Sequence, residues 1–268
     1  MPFANINGTK VHYLDTETDG PAVLLGHGFF MDAEMWAPQM EALADTYRVI
    51  ALDARGHGQT EDAGEPFTYW EQAWDAWGVA DALGLDRIVV GGLSQGGFIA
   101  QRMALLQPQR VRGLVLIGTG AAAYTDRERA GYEATIVDGW VNSPETPNGL
   151  ILSMASVMIG GDRERHQRVW MDKWIASDRS RLALAARCLI DREDLTPLIG
   201  EITAPALLIR GIGDQAFSPE RMQELADGLG GPVRFDTITA DTVTHICNWT
   251  HPELVNPIVR EFLDGLPV

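Results

Sequence analysis

The stretch that decides the reading is Ile88–Ala100, "IVVGGLSQGGFIA". An apolar run ends in Gly91 and Gly92, one serine follows Leu93, and Gly96 and Gly97 come directly after Gln95. The run reads as a strand, and the residues after Ser94 read as a helix. Gly92-Leu93-Ser94-Gln95-Gly96 therefore fits G-x-S-x-G on a strand-to-helix turn. Residues without side chains let strand and helix approach each other, and the serine takes an unfavourable backbone conformation that lifts its Oγ clear of the sheet. The first N–H groups of the helix, at its positive end, then face whatever that oxygen attacks.

A serine hydroxyl is a weak nucleophile near neutral pH and needs a base oriented by a third group. An elbow of this kind resembles that of the α/β-hydrolases, in which the chain order is serine, acid, histidine. His12, His27 and His57 come before Ser94, and His166 lies in a helical region. His251 abuts Pro252 at a helix start and reads as a cap. His245, in the loop ahead of that helix, is the candidate base. The acid is Asp214, presented after the strand-like start of "LLIRGIGDQAFSPE" (207–220); the other possible position, at the end of "LVLIGTGA" (114–121), has no carboxylate. Asp241 reads as a plain loop carboxylate. An oxyanion needs two N–H donors, and these are assigned to the backbones of Gln95 and of Phe29, in "LLGHGFFMD" (24–32). His27 reads as a structural residue of that loop.

Outward from the elbow, the runs "AVLL" (22–25), "RVIAL" (48–52), "RIVV" (87–90), "GLVLI" (113–117) and "ALLI" (206–209) lack strict alternation. Strands buried on both faces read this way, so a parallel sheet covered by helices is expected. An N-terminal hairpin turns on Asn7-Gly8. Helical spacing covers 32–45 and 67–84. Ser218-Pro219-Glu220 opens a further helix, and His251-Pro252-Glu253 opens the last one, which Pro257 should kink or delay. The fold class is α/β, a mostly parallel twisted sheet of the eight-stranded type with helices on both faces. From 121 to 198 no strand-like run occurs. Trp140, Trp170, Trp174, Met154, Met158 and Met171 fall there, as core of a helical cap, with a few lining a pocket at the sheet's C-terminal edge. The core is then 1–120 with 199–268, and the cap insertion is 121–198.

With 268 residues, 46% of them apolar, the chain can bury a large core. Its net charge of −16 disfavours nucleic acid and anionic membranes as partners. Two cysteines, Cys188 and Cys247, read as buried thiols. With no secretory signal in "MPFANINGTK", the expectation is a cytoplasmic protein, in which the Asn248 sequon is chance. Gly118–Ala123 mimics a dinucleotide fingerprint but leads into the cap, away from a first crossover helix. No cofactor and no metal site are expected.

These segments resemble the α/β-hydrolase superfamily: "GHGF" (26–29), "ALDARGHGQT" (51–60), "GGLSQGG" (91–97), "RGIGDQAF" (210–217) and "THICNWTHPELVNPIVREFL" (244–263). The likeness is to capped esterases, enol-lactonases and cofactor-free haloperoxidases. It implies Ser94, Asp214 and His245 as the triad, agreeing with the reading from the residues. Thr244 stands where the family usually has glycine, and Asp53 and Arg55 belong to a structural turn. The expected function is hydrolysis of a small-molecule carboxylic ester or lactone through an acyl-enzyme. The alternatives are perhydrolase activity, C–C bond hydrolysis and a ligand receptor on the same scaffold.

Overall fold

The computed structural model describes residues 2–267. Eight strands form one sheet: β1 (Phe3–Ile6), β2 (Thr9–Asp15), β3 (Ala22–Gly26), β4 (Arg48–Leu52), β5 (Ile88–Leu93), β6 (Val111–Ile117), β7 (Ala206–Gly211) and β8 (Val233–Ile238). Their spatial order is β1-β2-β4-β3-β5-β6-β7-β8. β1 and β2 pair antiparallel, as does β2 with β4, and all remaining pairs are parallel. The hairpin turns where expected, with Asn7 and Gly8 both at positive φ. Every position of β3, β5 and β7 is buried, which is why their sequences show no alternation.

The helices are α1 (Ala37–Leu43), α2 (Tyr69–Ala82), α3 (Gln95–Leu106), α4 (Asp126–Tyr132), α5 (Asn148–Met154), α6 (Arg168–Ala176), α7 (Ala183–Ile190), α8 (Pro219–Gly228), α9 (Cys247–Thr250) and α10 (Pro252–Asp264). α2 begins on a capping box, Thr68 with Glu71, and Ser218 caps α8 with Pro219 in its first turn. Pro257 does not delay α10. The helix runs through it, held by Val255, Val259 and Leu263, which bury one face at four-residue spacing. His251 is the cap residue of α10 as expected, its carbonyl accepting from Leu254 and Val255 N–H, while its side chain makes no capping bond and Nδ1 meets Thr250 Oγ1 at 2.9 Å.

Between β6 and β7 the described residues contain no strand. α4, α5 and α6 are joined there by π-helical stretches at Glu133–Val141, Ala155–Ile159 and Arg163–Gln167, and a 3₁₀ turn at Arg179–Leu182 leads into α7. Two hydrophobic clusters flank the sheet. One contains Trp77, Phe98 and Leu114, and the other joins Trp36 and Val115 to Trp140, Trp170 and Trp174 of the helical segment. Both cysteines are free and buried. No helix among the described residues is long and apolar enough to cross a membrane.

Candidate active site

Ser94 ends β5 and opens α3 with φ 54° and ψ −113°, a left-handed conformation that a side chain rarely adopts. The tight packing around it forces this. A Cβ on Gly96 would fall on the Gly26 backbone, and one on Gly92 would fall on Gly96. Backbone bonds clamp the turn from both sides: Ser94 N–H donates to Ile117 O at 2.9 Å, and Gly96 N–H to His27 O at 3.1 Å. Gly97 and Phe98 N–H both donate to Ser94 O. The first-turn donor left over is Gln95 N–H.

The Gly28–Phe29 peptide carries the second N–H that the sequence singles out. Its carbonyl accepts from Met31 N–H at 3.0 Å and bonds His27 Nδ1 at 2.8 Å. His27 Nε2 accepts the Ala54 N–H, so Nδ1 carries the proton and donates to Gly28 O. Because the peptide is trans, the Phe29 N–H points opposite to that anchored carbonyl. His27 therefore reaches beyond its own loop and fixes the orientation of the Phe29 amide.

His245 and Asp214 come from the loops after β8 and β7. Their contact, Nδ1 to Oδ2, is 2.9 Å and buried. Asp214 Oδ1 also accepts from Ala216 and Phe217 N–H at 2.8 and 3.1 Å. Burial alone would raise the Asp214 carboxyl. The His245 ring and these two amides outweigh it and hold the group below the usual carboxylate range. Phe217 stacks on the His245 ring at 6.0 Å. Gly118, at φ +49°, leaves room for the pair, since a Cβ there would lie 2.8 Å from His245 Nδ1 and 2.9 Å from Asp214 Oδ2. That glycine belongs to the stretch that mimics a dinucleotide fingerprint; its use here is to clear space.

Thr244, the departure from the family pattern, donates through Oγ1 to Met158 O at 2.8 Å, and Ile246 N–H donates to the same carbonyl at 3.1 Å. The histidine loop is thus tied to the helical segment.

Ser94, His245, Gly28 and Phe29 line one cavity of about 60 Å³. Its other walls are Phe30, Met31 and Leu93 from the sheet side, Tyr124, Tyr132, Ile136, Met154, Met158, Trp174 and Leu189 from the helical segment, and Ala216, Phe217 and Ile246 from the late loops. Among the described residues no hydrogen bond joins Ser94 Oγ to His245; the two side chains share the cavity wall. Met154, Met158 and Trp174 answer the expectation that a few residues of 121–198 reach the pocket, whereas Trp140 and Trp170 line an outer groove that shares Phe30, Met31 and Trp174 with it. Tyr124, Tyr132 and Leu189 carry no sequence signal for this role. Cys247, near His245 in sequence, is buried, and that burial pushes its thiol up to about 12, away from the reactive thiolate.

Asp53 Oδ2 lies 2.7 Å from His12 Nδ1 and accepts Gln59 N–H, while Oδ1 accepts Ala33 N–H. Arg55 pairs with Asp75. Both residues of that turn serve the scaffold.

Comparison with known proteins follows the same lines. The family model described as alpha/beta hydrolase fold matches residues 21–251. This chain belongs to that family. It is 29% identical to a thermophilic esterase from Thermogutta terrifontis, with a TM-score of 0.87 and 98% of each chain covered. An enol-lactonase from Burkholderia xenovorans LB400 is 27% identical with a TM-score of 0.86, covering 98% of this chain and 100% of the other. By sequence it is also similar to 3-oxoadipate enol-lactonase 1 of Acinetobacter baylyi, 26% identical over 92% of this chain and 90% of the relative. The hydrolase family and the eight-stranded sheet are as the sequence led us to expect.

Proposed function

We propose that the protein is a serine hydrolase of carboxylic esters or lactones, with Ser94 as nucleophile, His245 as base and Asp214 as its orienting acid. The observation that carries this reading is the shared cavity, which brings a serine on a positive-φ elbow together with a histidine bonded to a buried carboxylate. His245 bonds Asp214 through Nδ1, leaving Nε2 to take the proton from Ser94 Oγ once the serine side chain rotates to it. Oγ attacks the carbonyl carbon, and the oxyanion accepts from Phe29 and Gln95 N–H, each worth about 3–4 kcal/mol in transition-state stabilisation. The imidazolium then gives its proton to the leaving alcohol. Water, deprotonated by His245, attacks the acyl-enzyme and regenerates the serine.

The helical segment 121–198 acts as a cap over this site. The cavity's walls are aliphatic, aromatic and thioether groups with two tyrosines, which suits an uncharged acyl group; a buried carboxylate there would lack a counter-charge. Turnover of p-nitrophenyl acetate tests the reading. We expect hydrolysis that falls at least about 10⁴-fold in Ser94→Ala while the circular dichroism spectrum is unchanged. Stoichiometric ester binding without turnover by the unaltered protein would point to a receptor instead.

A further inference from the structure

A base must hold its place while the serine rotates to it, and no hydrogen bond among the described residues ties Ser94 Oγ to His245. Asp214 and Phe217 act on the ring itself, the first through Nδ1 and the second by stacking. The backbone that carries the ring is held in another way. Among the described residues His245 makes no backbone hydrogen bond of its own; its neighbours on both sides are held instead. Thr244 Oγ1 donates to Met158 O at 2.8 Å, and Ile246 N–H donates to the same oxygen at 3.1 Å. One carbonyl of the helical segment, with a lone pair for each donor, thus brackets the histidine.

The residues just before it are fastened as well. Gly161 N–H donates to Thr242 O at 3.0 Å and Gly213 N–H to Val243 O at 3.1 Å, while Gly160 and Val243 form an antiparallel bridge. Thr244 is fitted from both sides. A Cβ on Gly211, at the end of β7, would lie 2.0 Å from Thr244 O. A Cβ on Gly160 would lie 2.7 Å from both Oγ1 and Cγ2 of Thr244. Gly160 ends the π-helical stretch Ala155–Ile159 at φ +66°, a conformation that glycine adopts without strain. The threonine side chain therefore fills a space that a glycine of the helical segment leaves open, and its hydroxyl meets one defined acceptor there.

We propose that Thr244 is a positioning residue for the reaction: its hydroxyl, anchored on Met158 O, keeps the His245 ring where Nε2 can take the proton from Ser94. Thr244 is not among the residues that line the cavity, so it acts through the histidine and not on the substrate. A displacement of about 1 Å in a reacting group can cost about 100-fold in rate, so loss of this anchor should appear in kcat. The proposal rests on the hydrolase reading and adds a residue to it.

The test compares Thr244→Val, which keeps the shape but loses the donor, with Thr244→Ser, which keeps the donor. On p-nitrophenyl acetate, Thr244→Val should lower kcat about tenfold with KM within a factor of about two, and Thr244→Ser should restore kcat to within a factor of about two. A second readout needs no turnover: the downfield proton resonance of His245 Nδ1–H in its bond to Asp214, assigned by its absence in His245→Gln. It should broaden or vanish in Thr244→Val and persist in Thr244→Ser. If the valine variant fails to fold, Thr244→Gly removes the same donor without adding bulk and takes its place. An unchanged kcat or an unchanged resonance on loss of the donor, or equal losses with and without it, would overturn the proposal. If the unaltered protein turned over no ester, the hydrolase reading would fail, and the resonance would still decide whether Thr244 holds the imidazole.

Discussion

Strands β3, β5 and β7 are buried at every position, and the five parallel pairings shift register only at Ile88/Val89, whereas the helical segment between β6 and β7 is broken by three π-helical stretches. The sheet positions backbone: the Ser94 elbow and the two amides beside it are set by glycine contacts and peptide hydrogen bonds that tolerate no added atom. The helical segment positions side chains, lending Tyr124, Tyr132, Met154, Met158, Trp174 and Leu189 to the cavity wall. On the proposed function, chemistry belongs to the first region and shape selection to the second, so substitutions in the two should fail differently.

The largest effect is expected at Gly96→Ala. Its Cβ would collide with the Gly26 backbone, and neither element can retreat without breaking the clamp on the elbow. Overpacking of this kind should cost about 3 kcal/mol or more in urea unfolding and remove activity with it. Gly118→Ala tests the chemistry more finely. It crowds the His245–Asp214 bond and strains a positive φ, so kcat should fall about 100-fold with KM nearly unchanged, the mark of an interaction made in the transition state.

Crossing to the helical segment, Trp174 Nε1–H donates to Phe30 O at 2.7 Å and joins the two regions at the cavity wall. Trp174→Phe should shift the preference between acetyl and longer acyl esters about tenfold, leaving kcat for the acetyl ester within a factor of about three. A change in kcat alone would break the division of labour.

Acid should act on the sheet side. His57 donates Nδ1–H to Arg55 O and packs 4.9 Å from the His27 ring. Burial, and then His27, push its pKa from 6.5 down to about 3. The unfolded chain takes up this proton first as pH falls. The stability contributed by neutral His57 is therefore full above pH 6.5 and drains away toward pH 3, by at most about 1.4 kcal/mol per pH unit. His57→Gln should flatten the fall in Tm across that window. The smallest effect belongs to Gly131→Ala in α4. A Cβ there meets nothing, so a gain of about 0.5–1 kcal/mol is expected, opposite in sign to Gly96→Ala.

The same division explains what could be read from sequence. The elbow was legible because its glycines are demanded by backbone contact, and a demand of that kind leaves a fixed spacing. Asp214 and His245 followed from chain order and strand ends. Thr244's bond to Met158 was not legible, nor was the placement of Tyr124 and Leu189, because both depend on how separate helices pack. Pro257 does not delay α10, since the buried stripe of Val255, Val259 and Leu263 outweighs one lost hydrogen bond. His251 does hold the cap position of α10, but through its backbone, its ring turning to Thr250.

The most direct test of the central claim is covalent labelling with a p-nitrophenyl phosphonate ester, followed by mass spectrometry of the intact protein and of its peptides. The account requires one phosphonyl group per chain, on Ser94, with ester turnover lost in proportion and no labelling of Ser94→Ala. Turnover that persists in fully labelled protein, or a label on any other residue, would contradict it.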